Sequence, residues 1–380
     1  MKPYLIVSGD FVKTGGMDRA NYALAEYLAK QGYETHLVAH RVASELKIYS
    51  NIITHLVPKI GGSYFLSSPL LDQAGWYWAK RISKKGGRVI VNGGNCHWND
   101  VNWVHYVHAA YEEVSGGNFF RQCKVLTSRK YFLNQEQKAL TSAHLIIANS
   151  DRTKRDLIEK LGITPQKIHT VYYGIDPQVF CPATSQERTK LRQQFGWPEE
   201  KPIVVFIGAL GDYRKGFDIL FEAWQKLCAD SKWDADLIVI GSGKILLYWQ
   251  RAIEHDLSLR IHFLGFQSDV SDLLRAADCL VSPTRYEAYG LAVHEAICCG
   301  LPAIVSESAG IAERYLSNLN DLLLPNPEDV NDLINRLRHW QDKMSEYRKL
   351  ACDFSQNFCR NNWDDMSQKI VELIENPSAN

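Results

Sequence analysis

Residues 283–296 read PTRYEAYGLAVHEA, and this stretch decides the fold because it runs from a strand end through a loop into a helix. The strand is predicted over Cys279–Ser282, an apolar run that proline ends. The helix is predicted to begin after Gly290, where small and apolar residues continue without a break. A strand, a loop and a helix in this order form the repeating unit of a parallel sheet covered by helices.

The same unit recurs along the whole chain, because Val- and Ile-rich runs alternate with helical stretches. The first half predicts strands over Tyr4–Ser8, Glu34–Ala39, Arg88–Asn92, Trp103–Val107 and Leu145–Asn149. The second half predicts strands over Ile203–Gly208, Asp236–Ile240, Ile261–Leu264, Cys279–Ser282 and Ala303–Ser306. Each set is typical of one Rossmann-like, doubly wound α/β domain.

A segment rich in glycine and proline, residues 174–182, separates the two sets and is interpreted as a linker. We therefore predict an N-terminal domain over 1–180 and a C-terminal domain over 181–355. Apolar spacing from Phe354 through Trp363 to Ile374 predicts a final amphipathic helix, within 356–380.

Composition is that of a globular protein, with 46% hydrophobic and 23% charged residues among 380. No apolar run approaches the roughly 18 residues that a membrane-spanning helix needs, and residues 2–9 are too short for a secretory signal. The nine cysteines lack a Cys-x-x-Cys pair, and Cys298-Cys299 is the only close pair. We expect a cytoplasmic protein with reduced thiols.

Charge is divided unevenly between the halves. Residues 1–180 carry 22 Lys/Arg against 14 Asp/Glu, and residues 181–380 carry 21 against 29. The basic half, with aromatic and basic residues mixed over 76–85 and 119–124, favours peripheral contact with an anionic membrane surface. Ordinary solvated surfaces explain the same pattern, and both interpretations stay open. No nucleic-acid-binding module is present, so nucleic acid is not an expected partner.

Glycine pairs follow two of the predicted strands. Gly15 and Gly16 lie just before a helix, where main-chain N–H groups can point at an anion. Gly241 and Gly243 follow the strand over 236–240, but Leu246 stands where a dinucleotide fingerprint needs its third glycine. A dehydrogenase is therefore disfavoured.

Charged residues lie at two further strand ends, where ligands of parallel sheets bind. Arg214 and Lys215 follow the strand over 203–208 and are suited to hold a diphosphate. Glu287 lies in the loop of the opening stretch, and Glu295 lies two turns into its helix. Both carboxylates can accept hydrogen bonds from sugar hydroxyls, while the amides of Gly290 and Leu291 form an anion site between them.

These residues resemble a known family, the family 4 glycosyltransferases of the GT-B fold. The spacing of Glu287 and Glu295 matches the motif of two glutamates that are separated by seven residues. The other matching motifs stand in the family's order at Gly15-Gly16, Asn149-Ser150, Gly174-Ile175-Asp176, Lys215-Gly216, Gly241-Ser242-Gly243, Gly300-Leu301-Pro302, Gly310 and Glu313. The resemblance implies two Rossmann-like domains that face each other across a cleft, with the final helix crossing back onto the first.

The resemblance also implies a reaction: transfer of a hexose from a nucleotide diphosphate sugar to a lipid, glycan or small-molecule acceptor, with retention of configuration and without a metal or other cofactor. Lys215 and Arg214 would neutralise the diphosphate, and Glu287 would hold the sugar hydroxyls. The family's cleft histidine matches His108, which ends a predicted strand, better than His105. The implied donor-binding residues are Gly15, Gly16, Gly241, Gly243, Tyr289, Gly290, Leu291 and Glu295.

One departure and two alternatives remain. Ala209 stands where the family often has an arginine, so a phosphate-binding cation is missing. A non-hydrolysing sugar-nucleotide epimerase of the same fold, or a silent nucleotide-sugar-binding protein, would share most of these residues. A metal site at Asp234 and Asp236 is disfavoured, because both lie at the entry to a strand, at the amino end of the sheet, whereas ligands bind at the carboxyl ends.

Overall fold

Two parallel sheets form the framework of the chain, one in each of two units. The computed structural model describes residues 2–111 and 119–376, apart from the side chains of residues 119–125 and 357. Unit 1 comprises Met1–Gly174 and Asn361–Asn380, and unit 2 comprises Ile175–Arg360. The basic and aromatic stretch at 119–124 therefore lies outside the described side chains.

Unit 1 is built on strands with short, mostly buried apolar runs. The strands are β1 Tyr4–Val7, β2 Asp10–Phe11, β3 Thr35–Ala39, β4 Arg41–Val42, β5 Ile52–Leu56, β6 Arg88–Val91, β7 Val101–Val104, β8 Leu145–Ala148 and β9 Ile168–Thr170. Seven of them form a sheet in the order β5-β3-β1-β6-β7-β8-β9, and β2 pairs with β4 alone. The flanking helices are α1 Gly16–Lys30, α2 Tyr64–Lys84, α3 Phe119–Ser142 and α4 Asp151–Leu161.

Unit 2 repeats this architecture. Its helices before the chain returns to unit 1 are α5 Ser185–Phe195, α6 Phe217–Cys228, α7 Ile245–Glu254, α8 Ser271–Ala276, α9 Leu291–Cys298, α10 Val330–Asp342 and α11 Met344–Phe358. Its strands are β10 Ile203–Ile207, β11 Asp236–Ile240, β12 Ile261–Gly265, β13 Cys279–Ser282, β14 Ala303–Ser306 and β15 Leu323–Leu324. The sheet order β12-β11-β10-β13-β14-β15 places the loops after β10, β11 and β13 beside one another.

Most of the strands predicted from the sequence are confirmed to within one residue at either end. The prediction over Trp103–Val107 is wrong, because β7 lies at Val101–Val104 and is followed by the 3₁₀ helix His108–Ala110. His108 therefore begins a 3₁₀ helix and does not end a strand. The apolar run at 101–107 misleads because Val107 is also buried, although it lies beyond the sheet.

The last helix belongs to unit 1. Helix α12, Trp363–Glu375, packs on α1, and the Tyr4 hydroxyl donates a hydrogen bond of 2.7 Å to Glu375. The single helix that the sequence predicts from Phe354 to Ile374 is wrong, because α11 ends at Phe358. Asn362 begins a new helix: its side chain accepts the amide hydrogens of two following residues, and Asp365 bonds back to its main chain.

A disulfide bond joins Cys298, at the end of α9, to Cys359, just after α11. The expectation of reduced thiols throughout is wrong for this pair. Their separation of 61 positions hides the pairing in the sequence, and the packing of α11 against α9 brings the two together. Within the described ranges, none of the helices combines the length and the apolar character needed to cross a bilayer.

Candidate active site

The loops after β10 and β11 are joined by main-chain hydrogen bonds. The amide of Leu210 donates to the carbonyl of Ser242 at 2.7 Å, and the amide of Lys244 donates to the carbonyl of Leu210 at 2.8 Å. Gly243 has a φ of 116°, and a Cβ there would collide with the carbonyl oxygen of Leu210. A Cβ on Gly241, whose φ is 151°, would collide with a carbonyl in the same way. Both glycines thus allow the two loops to touch, and their contact with a donor stays a prediction.

Lys215 and Glu287 meet at the carboxyl end of the unit 2 sheet. The Lys215 Nζ atom lies 2.5 Å from Glu287 Oε2, although 72 residues separate the two in sequence. The pair forms because β10 and β13 are neighbours in the sheet. Gly216, with a φ of 68°, lets the two loops approach, since a Cβ there would strike the carbonyl of Pro283. Two of the predicted catalytic residues are therefore in direct contact.

Arg214 is bound to a different carboxylate from Lys215. Its guanidinium donates to both oxygens of Asp212, at 3.1 and 2.5 Å. Asp212 also caps the 3₁₀ helix Tyr213–Lys215 by accepting the amide hydrogen of Arg214. The adjacent cations of the sequence are thus held by separate acidic partners.

Arg285 is an organising residue that the sequence reasoning missed. Its guanidinium donates to both oxygens of Asp218 at 2.8 Å and to the carbonyl of Tyr213 at 2.6 Å, and it also pairs with Glu328. These hydrogen bonds raise the pKa of Arg285 above its usual value. Arg285 ties the loop after β13 to the start of α6, and its place two residues before Glu287 is the signal that was available in the sequence.

The start of α9 faces the same loop system. Gly290 caps the helix with a φ of 110°, which an ordinary residue rarely adopts. The amide of Gly310 donates to the carbonyl of Glu287 at 3.0 Å, and the amide of Ile311 donates to the carbonyl of Tyr289 at 2.6 Å. These bonds fix the loop that leads into Leu291, the first residue of the helix.

Glu295 and Tyr289 are both buried. Glu295 lies in the second turn of α9 with 8% of its surface exposed. Tyr289 is 1% exposed, and its hydroxyl lies 2.9 Å from His294 Nδ1, inside the protein. A contact between Tyr289 and a donor would therefore come from its main chain.

In unit 1, Gly15 and Gly16 begin α1 beside a charged cluster. Gly15 is the N-cap, with a φ of 82°. Asp10 is buried, and its Oδ2 accepts hydrogen bonds from Arg41 at 2.8 Å and from the Tyr64 hydroxyl at 2.9 Å. Burial, together with the charge of Asp10, raises the pKa of Asp18 to about 6. The glycines thus lie beside groups that can exchange hydrogen bonds with hydroxyls.

His108 begins its 3₁₀ helix next to a buried carboxylate. The two oxygens of Glu136 accept the amide hydrogens of His108 and Ala109, at 2.8 and 3.2 Å. The imidazole of His108 stacks on Phe132, with ring centroids 5.3 Å apart. His105, by contrast, is buried, and its Nδ1 lies 2.5 Å from the Tyr173 hydroxyl. Burial lowers the pKa of His105 to about 3, so this imidazole is a neutral packing residue.

Asp236 is held by cations at the opposite end of the unit 2 sheet. Its Oδ1 lies 2.8 Å from Lys201 Nζ and 3.2 Å from Arg260 Nε. Across residues 2–111 and 119–376, no three His, Cys, Asp or Glu side chains are grouped so as to hold a metal ion.

Comparison with known proteins identifies the class. A model described as glycosyl transferases group 1 matches residues 187–357, and a model described as Glycosyltransferase Family 4 matches residues 14–179. An uncharacterized glycosyltransferase of Methanocaldococcus jannaschii is 24% identical, over 95% of this chain and 94% of its own. The N-acetyl-alpha-D-glucosaminyl L-malate synthase of Bacillus anthracis is 25% identical, over 80% of this chain and 78% of its own.

Solved structures show the same fold. WaaG, a glycosyltransferase involved in lipopolysaccharide biosynthesis, has a TM-score of 0.78 at 20% identity, over 98% of this chain and 99% of that one. HepE of Anabaena in complex with UDP-glucose has a TM-score of 0.73 at 18% identity, with the same two coverages. The fold and the two matched models define a glycosyltransferase of the GT-B type. Within that class, the chain belongs to the family 4 glycosyltransferases.

Proposed function

We propose that this glycosyltransferase moves a hexose from a nucleotide diphosphate sugar to a hydroxyl-bearing acceptor, a lipid, a glycan or a small molecule. The observation that carries the proposal is the contact of Lys215 with Glu287 beside the start of α9. It places a cation, a carboxylate and main-chain N–H groups together, as a diphosphate and its sugar require. HepE, with the same fold, has been solved in complex with UDP-glucose, so a UDP-hexose is the first donor to test.

The chemical task is to stabilise negative charge on the departing diphosphate while the sugar becomes cationic. In our proposal the Lys215 ammonium and the amides of Gly290 and Leu291 carry that charge, which a site without a metal ion can do. Glu287 orients Lys215 before the donor arrives and accepts hydrogen bonds from sugar hydroxyls afterwards. Glu295 accepts from the ribose. Arg214 assists only after it leaves Asp212, so Lys215 is the principal cation of the site. Lys215 has this role although Ala209 stands where the family often has a phosphate-binding arginine.

His108 is proposed to contact the reacting sugar, and Glu136 fixes the turn that carries this histidine. Retention of configuration is part of the same proposal. Proton NMR of the anomeric centre in the first product formed tests it, because inversion of the donor's anomeric configuration would contradict retention.

The acceptor is proposed to be reached at the anionic, cytoplasmic face of a membrane. Residues 46–88 of unit 1 carry seven Lys/Arg and a single Asp. Exposed apolar side chains share this region, and the cations lie over exposed rings: Arg81 over Tyr77 at 3.5 Å and Lys80 over Trp76 at 5.1 Å. We call Trp76, Tyr77, Lys80 and Arg81 the basic aromatic face. Such a combination suits the interface of an anionic bilayer.

The donor site is tested with purified protein in EDTA. We expect UDP or UDP-glucose to raise the melting temperature, because a ligand that binds only the folded state stabilises it. GDP and ADP series identify the base if UDP fails. Transfer to a candidate acceptor, again in EDTA, then tests turnover.

Two variants assign the roles. Lys215→Met is expected to lower kcat about ten- to hundred-fold, and Glu295→Gln to weaken UDP-glucose binding about ten-fold, since hydrogen bonds to charged groups contribute about 1.5–3 kcal/mol. Lys226→Met, which removes an exposed helix lysine paired with Glu222, is the matched control. Wild-type kinetics in both site variants would contradict the assignment.

A further inference from the structure

A buried polar cluster lies behind the loop that carries Glu287. Arg314 Nη1 donates to the Tyr289 hydroxyl at 3.0 Å, and that hydroxyl lies 2.9 Å from His294 Nδ1. The three side chains come from three elements: the loop before α9, α9 itself and the 3₁₀ helix Gly310–Arg314. Tyr289 and His294 are almost fully buried.

The hydrogen-bond directions in the cluster follow from its chemistry. Arginine can only donate, so the Tyr289 oxygen accepts from Arg314 and its own hydrogen is left to donate to His294 Nδ1. Burial, reinforced by the charge of Arg314, holds the pKa of His294 well below its usual range. His294 is therefore neutral, and the tautomer whose Nδ1 accepts from the Tyr289 hydroxyl gives that hydroxyl one orientation.

The far side of the cluster is fixed by the end of α11. The Arg314 guanidinium lies 3.8 Å from the centroid of the Phe358 ring, and His294 meets the same ring edge-on at 4.8 Å. Phe358 is followed by Cys359, which is bonded to Cys298 at the end of α9. The cluster therefore rests on a surface that is covalently joined to the helix it supports.

The same 3₁₀ segment holds the loop by its main chain. Gly310 and Ile311 donate to the carbonyls of Glu287 and Tyr289, and Arg314, which closes the segment, holds the Tyr289 hydroxyl. Burying a histidine and a phenol, and partly burying an arginine, is unfavourable without hydrogen-bond partners, and apolar side chains would fill this space without that cost. A buried hydrogen-bonded network favours a single geometry, which is what a loop that presents a carboxylate to a ligand needs.

We infer that Arg314 and His294 are positioning residues that act through the Tyr289 hydroxyl. They set the loop so that the Glu287 carboxylate and the amides of Gly290 and Leu291 point to the donor. The inference rests on the proposed donor site, and it extends that site to two buried residues, Tyr289 and His294, and to the partly buried Arg314.

The test removes the hydrogen bonds and keeps the shape. Tyr289→Phe deletes only the hydroxyl, and Arg314→Met deletes the donor while an unbranched apolar chain remains. We expect each variant to weaken UDP binding, measured by calorimetry, about ten-fold, with KM for UDP-glucose rising more than kcat falls. The double variant is expected to have the same UDP affinity as the single variant that binds UDP less tightly, because both substitutions remove the same hydrogen bond. Arg314→Lys, which restores a donor, should recover part of the loss.

Tyr315→Phe is the matched control. Tyr315 lies beside Arg314, and its partly buried hydroxyl donates to the carbonyl of Ala303 at 2.9 Å, away from the loop. The same chemical change there should leave UDP affinity unaltered. Hydrogen exchange of a peptide that covers 283–291 adds a readout that needs no ligand: it should quicken in Tyr289→Phe and Arg314→Met and stay constant in Tyr315→Phe.

The outcomes separate the two proposals. Unchanged exchange in both cluster variants would overturn the positioning role, as would additive effects in the double variant. Faster exchange in a protein whose wild type binds no nucleotide would support the positioning of the loop and sink the proposed donor site.

Discussion

Glu136 combines deep burial with a structural task, since its carboxylate holds the turn that begins at His108. It is 1% exposed and accepts two main-chain hydrogen bonds. Burial raises its pKa to about 7, while the two amides oppose that rise. Because the folded pKa lies above the unfolded one, the folded protein binds a proton that the unfolded chain has already lost between about pH 4.5 and 7. The contribution of Glu136 to stability is therefore lost as the pH rises through 7.

Glu136→Gln should remove this pH dependence. We expect the free energy of unfolding of the wild type, relative to the variant, to fall between pH 5 and pH 8, as measured by urea unfolding at each pH. Asp18, whose pKa is also raised, contributes equally to the pH dependence of both proteins, so its contribution cancels in the difference between their free energies of unfolding. Glu159→Gln, at an exposed position of α4, supplies the baseline. Parallel curves for wild type and Glu136→Gln would disprove the assignment.

Sequence alone identifies functional residues when their type and their position in a single loop are sufficient to indicate a role. Lys215 and Glu287 could be singled out because each follows a strand at the ligand-binding end of a sheet. Arg285 and Arg314 could not, because their importance comes from partners 43 to 72 residues away for Arg285 and 25 away for Arg314. The separation of Arg214 from Lys215 is equally invisible, since it depends on which carboxylate each cation reaches in the folded loop.

At the scale of elements, the contact between the loops after β10 and β11 depends on glycine. Gly243→Ala places a methyl group against the carbonyl of Leu210 at a φ of 116°. We expect it to lower the free energy of unfolding by about 3 kcal/mol and to weaken UDP binding, because the backbone is strained and the loops must part.

Gly265→Ala is the control for that substitution. Gly265 also has a positive φ, 71°, yet a Cβ there would meet no atom within 4 Å. Its replacement should cost about 1–2 kcal/mol, the price of the backbone conformation alone. Equal losses in the two variants, measured by urea unfolding, would refute the argument from loop contact.

Strands that are buried on both faces could be predicted directly, and β10, β11, β13 and β14 of unit 2 keep nearly their predicted bounds. The edge strands β5 and β9 escaped prediction, since their partly exposed residues do not form a continuous apolar run. The break between α11 and α12 was missed for another reason. Apolar spacing continues through it, and only the capping by Asn362 and Asp365 starts a new helix.

At the scale of the whole molecule, the uneven distribution of charge predicts that unit 1 contacts an anionic membrane through the basic aromatic face. We expect the wild type to sediment with vesicles that contain phosphatidylglycerol and not with vesicles of phosphatidylcholine alone. Sedimentation should decrease at about 0.5 M salt, because the electrostatic screening length is then below about 5 Å. Trp76→Ser combined with Lys80→Gln and Arg81→Gln should abolish sedimentation.

Trp249→Ser is the control for the basic aromatic face. Trp249 lies on α7 of the acidic unit 2 and is 49% exposed, the same fraction as Trp76. The loss of a tryptophan there should leave vesicle binding intact. Equal losses for both faces, or binding to neutral vesicles, would exclude an electrostatic contact through unit 1.

The return of α12 to unit 1 has a consequence for the order of events on the ribosome. Unit 2 is inserted between two parts of unit 1, so the face of α1 that α12 covers stays bare while Ile175–Arg360 is being translated. At about 5–20 residues per second that interval lasts about ten to forty seconds. The chain of unit 2 is therefore completed before that of unit 1. The face of α1 stays accessible to chaperones until Trp363–Glu375 has been synthesised and covers it.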